Sequence, residues 1–141
     1  MENFMVILTI LTAYLIGSVS SAVIISKIIS GEDIRDHGSG NAGATNMLRV
    51  HGKVAGIVTL LIDVLKGVLA ILLAMLFALI LKGIKADSVF PGCLKYLAGL
   101  FVVIGHDFPV FFKFRGGKGV ATSLKHFALN NQERHRLQTS V

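Results

Sequence analysis

Two stretches of this sequence carry residue types suited to holding phosphate. The first reads Gly38-Ser39-Gly40-Asn41-Ala42-Gly43-Ala44-Thr45-Asn46, with Arg49 close behind. Glycines at this density let a backbone approach an anion and aim its N–H groups at it. Ser39, Asn41, Thr45 and Asn46 add side-chain donors, and Arg49 adds a fixed charge in a planar fork that matches phosphate. The second stretch runs from Gly105-His106-Asp107 through Phe108, Pro109, Phe111, Phe112, Lys113, Phe114 and Arg115 to Gly116-Gly117-Lys118-Gly119-Val120-Ala121-Thr122. Its Gly-Gly-Lys-Gly turn offers backbone donors, with Lys118 as a point charge.

Each stretch has a better-known look-alike. Gly38-x-Gly40-x-x-Gly43 fits the dinucleotide fingerprint, with Asp63 at about the expected distance, but that fingerprint must follow a strand and open a soluble βαβ unit. Here it follows Glu32-Asp33-Ile34-Arg35-Asp36-His37 and precedes an apolar block. A P-loop needs Ser or Thr after its lysine, and Gly119 follows Lys118. Both nucleotide readings are therefore rejected. Phe108, Phe111, Phe112 and Phe114, interleaved with basic residues, suit a membrane interface and the path of a fatty chain. A bland reading stands beside these: glycine-rich loops are often only tight connections, and lone histidines such as His37, His51 and His106 are more often structural than catalytic.

The elements that must position these loops are apolar. The 141 residues are 53% hydrophobic and only 16% charged, with mean hydropathy +0.72. A soluble domain carries about 25% charged residues. Three blocks, at roughly 4–25, 54–81 and 90–105, read as membrane helices, since about 20 apolar residues span a bilayer. The first lacks a basic start and is longer than a signal-peptide core, so it reads as a permanent span. Its Gly17, Ser18, Ser20 and Ser21 would let a second helix approach closely. The second block contains Asp63 and Lys66, which share a helical face. They are either a packing pair or functional, as intramembrane ionisable groups are by default. The third block, with Lys95, is marginal taken alone.

The net charge of +6 sits mostly between the blocks. Lys27, Arg35, Arg49 and Lys53 lie in the first loop, and Lys113, Arg115 and Lys118 in the third. Basic loops stay in the cytoplasm. The expected arrangement has both phosphate-suited loops cytoplasmic and the N-terminus outside. The charge therefore does not call for nucleic acid. Cys93, the sole cysteine, excludes an internal disulfide and a thiolate metal cluster.

The two motifs together resemble the first and second signatures of the bacterial acyl-phosphate:glycerol-3-phosphate acyltransferases, and Asp63 and Lys66 fit the same pattern. The resemblance covers about residues 1–124. It implies an all-α, polytopic inner-membrane protein of about three spans here, with glycine-rich cytoplasmic loops. The implied reaction moves an acyl group from acyl phosphate to the 1-hydroxyl of glycerol 3-phosphate, without metal or cofactor. Resemblance further implies catalytic roles for Ser39, Asn41 and His106, with Ser39 and neighbouring amides on the donor's phosphate. It implies substrate binding by Gly40, Gly43, Thr45, Asn46, Arg49, Gly116, Gly117, Lys118, Gly119 and Thr122. The family continues into further spans and a third signature containing His, Asn and Glu. His126, Asn130, Asn131 and Glu133 supply those types without the spacing. Residues 1–125 thus read as an incomplete acyltransferase domain and 126–141 as a divergent polar tail, with no specified fold expected over roughly its last dozen residues. Two alternatives stay open: an inactive membrane fragment, and a small anion transporter whose polar path only Asp63, Lys66 and Lys95 could line.

Overall fold

The structure is a computed structural model that describes residues 2–84 and 90–116. Gly117, Lys118, Gly119, Thr122 and the polar tail lie outside the described residues. Every described element is helical. Helix α1 spans Glu2–Ser18, α2 Ser21–Ser30, α3 Ala44–His51, α4 Lys53–Ile84 and α5 Phe90–Asp107, with short 3-10 turns at Ile34–Asp36 and Val110–Phe112. Three segments are long and apolar enough to cross a membrane: Asn3–Ser30, Lys53–Ile80 and Cys93–Phe112. All three expected spans are present. The third extends beyond its expected end, so His106 belongs to the last turn of α5 rather than to a loop.

The first span departs from expectation by breaking at Val19–Ser20. Ser20 caps α2: its backbone is extended and its Oγ accepts from the Val23 amide. That bond takes Val23 N–H away from the Val19 carbonyl, its normal helical acceptor. Inside a membrane such a carbonyl needs another donor.

Helix α5 packs along both α1 and α4. The seam is built from small side chains, with Ala13, Ala70, Ala74 and Ala98 buried alongside Leu94 and Val102. Between apolar helices in lipid, association depends on close packing rather than on water expulsion. The small residues of the first span serve this purpose. A Cβ on Gly17 would collide with the Val102 carbonyl oxygen, and one on Gly105 with the Tyr14 carbonyl oxygen. Buried Thr9 and Thr59 satisfy their hydroxyls on the carbonyls one turn back, Met5 and Ala55. The apolar side chains of α4 are largely exposed, which suits a helix whose outer surface meets lipid.

The segment between α2 and α4 is not an open loop. Ala22, Val23, Ile34, Ala42, Met47 and Ala55 form a second small core, with Ile25 and Phe112 against it. This core seats α3, and α3 in turn lies on α4: a Cβ on Gly56 would sit 2.8 Å from the Leu48 Cβ.

Candidate functional site

The site begins with Asn46. This residue is 1% exposed and stands at the centre of the first glycine segment. Its Oδ1 accepts from the Ser39 amide at 2.9 Å, while its Nδ2 lies 3.0–3.1 Å from the carbonyl oxygens of Ile34, His37 and Asn41. Gly38 and Gly40 take positive φ, +58° and +70°, as the turn around this amide requires. The donors of Asn46, a residue expected to bind substrate, are spent holding the loop, and its side chain faces inward. Two amides of the same segment are also engaged within the loop. Ser39 N–H goes to Asn46 and Gly40 N–H to the His37 carbonyl.

What the loop does present is set by this frame. Ser39, Thr45 and Arg49 are exposed, and Thr45 and Arg49, one helical turn apart, share the outer face of α3. Gly43 opens α3 without a side-chain cap. Asn41 is half-buried, and its Oδ1 is buried with no hydrogen-bond partner among the described residues.

Arg35, not singled out in the sequence, joins the two motif loops. Its guanidinium binds both oxygens of Asp33, at 2.9 and 2.6 Å. It also donates to the carbonyls of Phe112 at 2.8 Å and Arg115 at 3.2 Å. Hydrogen bonding to Arg35 holds the Asp33 carboxyl below its usual range, and Asp33 in turn raises the affinity of Arg35 for its proton. The two gripped carbonyls bracket Lys113 and Phe114, which both adopt the left-handed conformation with φ 58° and 57°. That conformation costs a non-glycine residue roughly 1–2 kcal/mol. Tyr14 adds a second fastening through its hydroxyl to the Phe108 carbonyl at 2.9 Å. Gly116 lies against the His106 carbonyl oxygen.

A polar hub lies beneath the loops. Lys66 Nζ sits 2.8 Å from Asp63 Oδ1, 3.0 Å from the orphaned Val19 carbonyl and 3.0 Å from His106 Nδ1. Ser21 donates to the same Asp63 oxygen at 2.8 Å. The expected shared face of Asp63 and Lys66 is thus an ion pair. Beside it, an apolar groove of about 220 Å³ runs between α4 and α5, lined by Val64, Val68, Val102 and Val103 next to Asp63, Lys66 and His106. The other two histidines noted in the sequence are held elsewhere: His37 pairs with Glu32 at 2.7 Å, and His51 Nε2 meets Ser26 Oγ at 2.9 Å. Because Ser26 gives its hydrogen to the Glu32 carbonyl, His51 is the donor in that contact.

Comparison with known proteins agrees with this architecture. The family model described as glycerol-3-phosphate acyltransferase matches residues 7–132. A glycerol-3-phosphate acyltransferase of Clostridioides difficile (strain 630) is 53% identical over 124 residues, covering 88% of this chain and 58% of the relative. One from Bacillus subtilis (strain 168) is 47% identical over 119 residues, covering 84% and 55%. The chain therefore spans little more than half the length of these relatives. Among solved structures it resembles PlsY (YgiH), an integral membrane glycerol 3-phosphate acyltransferase. The glycerol 3-phosphate form gives a TM-score of 0.64 at 41% identity, over 84% of this chain and 54% of that one. The lysophosphatidic acid form gives 0.59 at 38% identity, over 84% and 53%. The chain is a polytopic helical membrane protein that belongs to the glycerol-3-phosphate acyltransferase family.

Proposed function

We propose that this chain binds acyl phosphate and glycerol 3-phosphate and transfers the acyl group to the 1-hydroxyl of the latter, giving lysophosphatidic acid for phospholipid synthesis. The observation that carries this reading is the Arg35 clasp, which ties the approach to the first glycine-rich segment to the Phe112 and Arg115 carbonyls just ahead of Gly116. Two phosphate-bearing reactants need two anion-suited segments side by side. The glycerol 3-phosphate and lysophosphatidic acid forms of the related structure support this choice of substrate and product.

In the proposed reaction the 1-hydroxyl oxygen attacks the acyl carbonyl carbon, and the bond from that carbon to the phosphate oxygen breaks. Phosphate leaves with the electron pair, and a phosphate oxygen takes the hydroxyl proton. Phosphate is already a good leaving group, so the protein supplies orientation and charge stabilisation. Ser39, Asn41 and His106 serve the reacting groups. Thr45 and Arg49 on α3, with Gly40, Gly43, Gly116, Gly117, Lys118, Gly119 and Thr122, hold substrate phosphates. Asn46 acts through the loop's shape. We further propose that this end of the bundle faces the cytoplasm of a bacterial inner membrane with the N-terminus outside, a reading supported by the basic residues of both loops.

The test is acyl transfer from a long-chain acyl phosphate to labelled glycerol 3-phosphate by the purified chain and its Ser39→Ala variant. The expected result is transfer by the parent and a loss of about 10²–10³-fold in the variant. A folded, monodisperse parent that transfers nothing would defeat the reading.

A further inference from the structure

We infer that Lys66 is a positioning residue that fixes His106 as a neutral imidazole with its proton on Nε2, so that His106 serves the site as an N–H donor and not as a proton acceptor. The second half of this inference rests on the acyltransferase reading; the first half does not.

A lysine ammonium has three N–H donors and no acceptor. Lys66 Nζ has three oxygen or nitrogen neighbours within 3.0 Å: Asp63 Oδ1, the Val19 carbonyl and His106 Nδ1. Each neighbour must then accept. The Val19 carbonyl is available because Ser20 has taken the Val23 amide. Asp63 pairs with Lys66 at 2.8 Å and is itself held by Ser21. With Nδ1 accepting, His106 carries its single proton on Nε2. A histidine in that state offers a donor at Nε2 and has no lone pair there to remove a proton. Such a donor suits a phosphate or acyl oxygen that gains charge during transfer. It also agrees with a mechanism in which the leaving phosphate, not the protein, takes the hydroxyl proton. Gly116, the first glycine of the second motif, packs on the His106 carbonyl oxygen.

Removing Lys66 should change the proton's position. His106 Nδ1 is 3.9 Å from Asp63 Oδ1, so in Lys66→Met the imidazole is free to place a proton on Nδ1 toward that carboxylate. Lys66→Arg should not permit this, because a guanidinium also only donates.

The experiment is nitrogen NMR of the full chain labelled with ¹⁵N-histidine in lipid nanodiscs at neutral pH, with the His106 signals assigned by their loss in His106→Gln. The expected parent spectrum has one bare nitrogen, Nδ1, and one protonated nitrogen, Nε2. Lys66→Met should protonate Nδ1, and Lys66→Arg should keep the parent pattern, which also covers the case in which Lys66→Met does not fold. A parent imidazolium, or a parent proton on Nδ1, would overturn the inference. Acyl-transfer kinetics test the donor role. His106→Gln, whose amide N–H₂ can stand near the Nε2 position, should keep at least about a tenth of kcat, against about 10²-fold loss in His106→Ala. Equal loss in both variants would reject the donor role. A parent that transfers nothing would sink the acyltransferase reading, while the spectrum would still decide the state of His106.

Discussion

Arg35 and Phe112 stand 77 positions apart and are joined twice: the guanidinium donates to the Phe112 carbonyl at 2.8 Å and lies over its ring, 5.7 Å from the centroid. The same guanidinium reaches the Arg115 carbonyl, so one side chain holds both sides of the left-handed pair Lys113 and Phe114. Its carboxylate partner Asp33 is only 16% exposed, and that pairing keeps the fork in place.

Arg35→Ala should therefore release residues 113–116 without unfolding the spans. Charge-assisted hydrogen bonds of this kind contribute about 1.5–3 kcal/mol each. The amides of Phe114 and Arg115, now bonded to the Pro109 and Phe112 carbonyls, should exchange at least tenfold faster. Amides within α4 should be unchanged. Arg35→Lys should recover only part of the effect, since a point charge cannot bridge the Asp33 carboxylate and two carbonyls in one plane. Unaltered exchange at both amides in Arg35→Ala would show that the clasp contributes nothing.

Asp33 gives the clasp a defined pH range. Hydrogen bonding to Arg35 lowers its affinity for a proton relative to the unfolded chain. A group lowered in this way contributes stability above its unfolded value, about 3.9 for Asp. That contribution is lost as pH falls through the folded value. The clasp should thus be intact at neutral pH and weaken only below about pH 4. A carboxyl-carbon titration of Asp33 should give a midpoint below 3.9, moving upward in Arg35→Ala; a midpoint at or above that value in the parent would contradict the pairing.

The spans were legible because composition alone carries that signal: 20 apolar residues have few other uses. The Asp63–Lys66 pair was legible from its spacing on one helix, and the use of Gly17 in helix packing from its size. What remained hidden depends on contacts between distant positions. Nothing local distinguishes Arg35 from the other loop cations, or marks Asn46 as the only buried one among the first motif's polar side chains. The break at Ser20 was masked because the residues on both sides are equally apolar. His106 fell just outside the expected third span, whose apolar block ends at Gly105. Its tie to Lys66, 40 positions back, is a product of the α4–α5 packing.

The crossing of α1 and α5 makes a prediction about small residues. Gly17→Ala would place a methyl on the Val102 carbonyl, and Gly105→Ala one on the Tyr14 carbonyl. Overpacking of this kind costs about 1–3 kcal/mol, so each variant should melt several degrees lower in detergent. The double variant should cost less than the sum, because one displacement of α5 relieves both collisions. Gly99→Ala is the control. Nothing lies within 4 Å of its added Cβ, and alanine favours the helix by up to about 1 kcal/mol. Equal melting of all three single variants would mean that α1 and α5 are not in close contact there.

Asn46 and Arg49 lie on the same short helix and should fail in different ways. Asn46→Ala takes the acceptor from the part-buried Ser39 amide and a side-chain donor from the carbonyls of Ile34, His37 and Asn41, of which the first two keep the His37 and Gly40 amides. Each group left unsatisfied costs about 1–3 kcal/mol, so residues 38–46 should lose their fold and amide protection should collapse from Ser39 onward. Arg49→Ala removes an exposed side chain, and such changes usually shift stability by no more than about 0.5 kcal/mol. On the proposed function it should leave melting unchanged and raise the glycerol 3-phosphate KM about tenfold or more, the loss of a charge-assisted phosphate contact. Melting curves and initial rates on the two variants separate the roles. If Arg49→Ala leaves KM unaltered, the outer face of α3 does not bind the acceptor's phosphate; if Asn46→Ala melts like the parent, the buried amide is not what holds the loop.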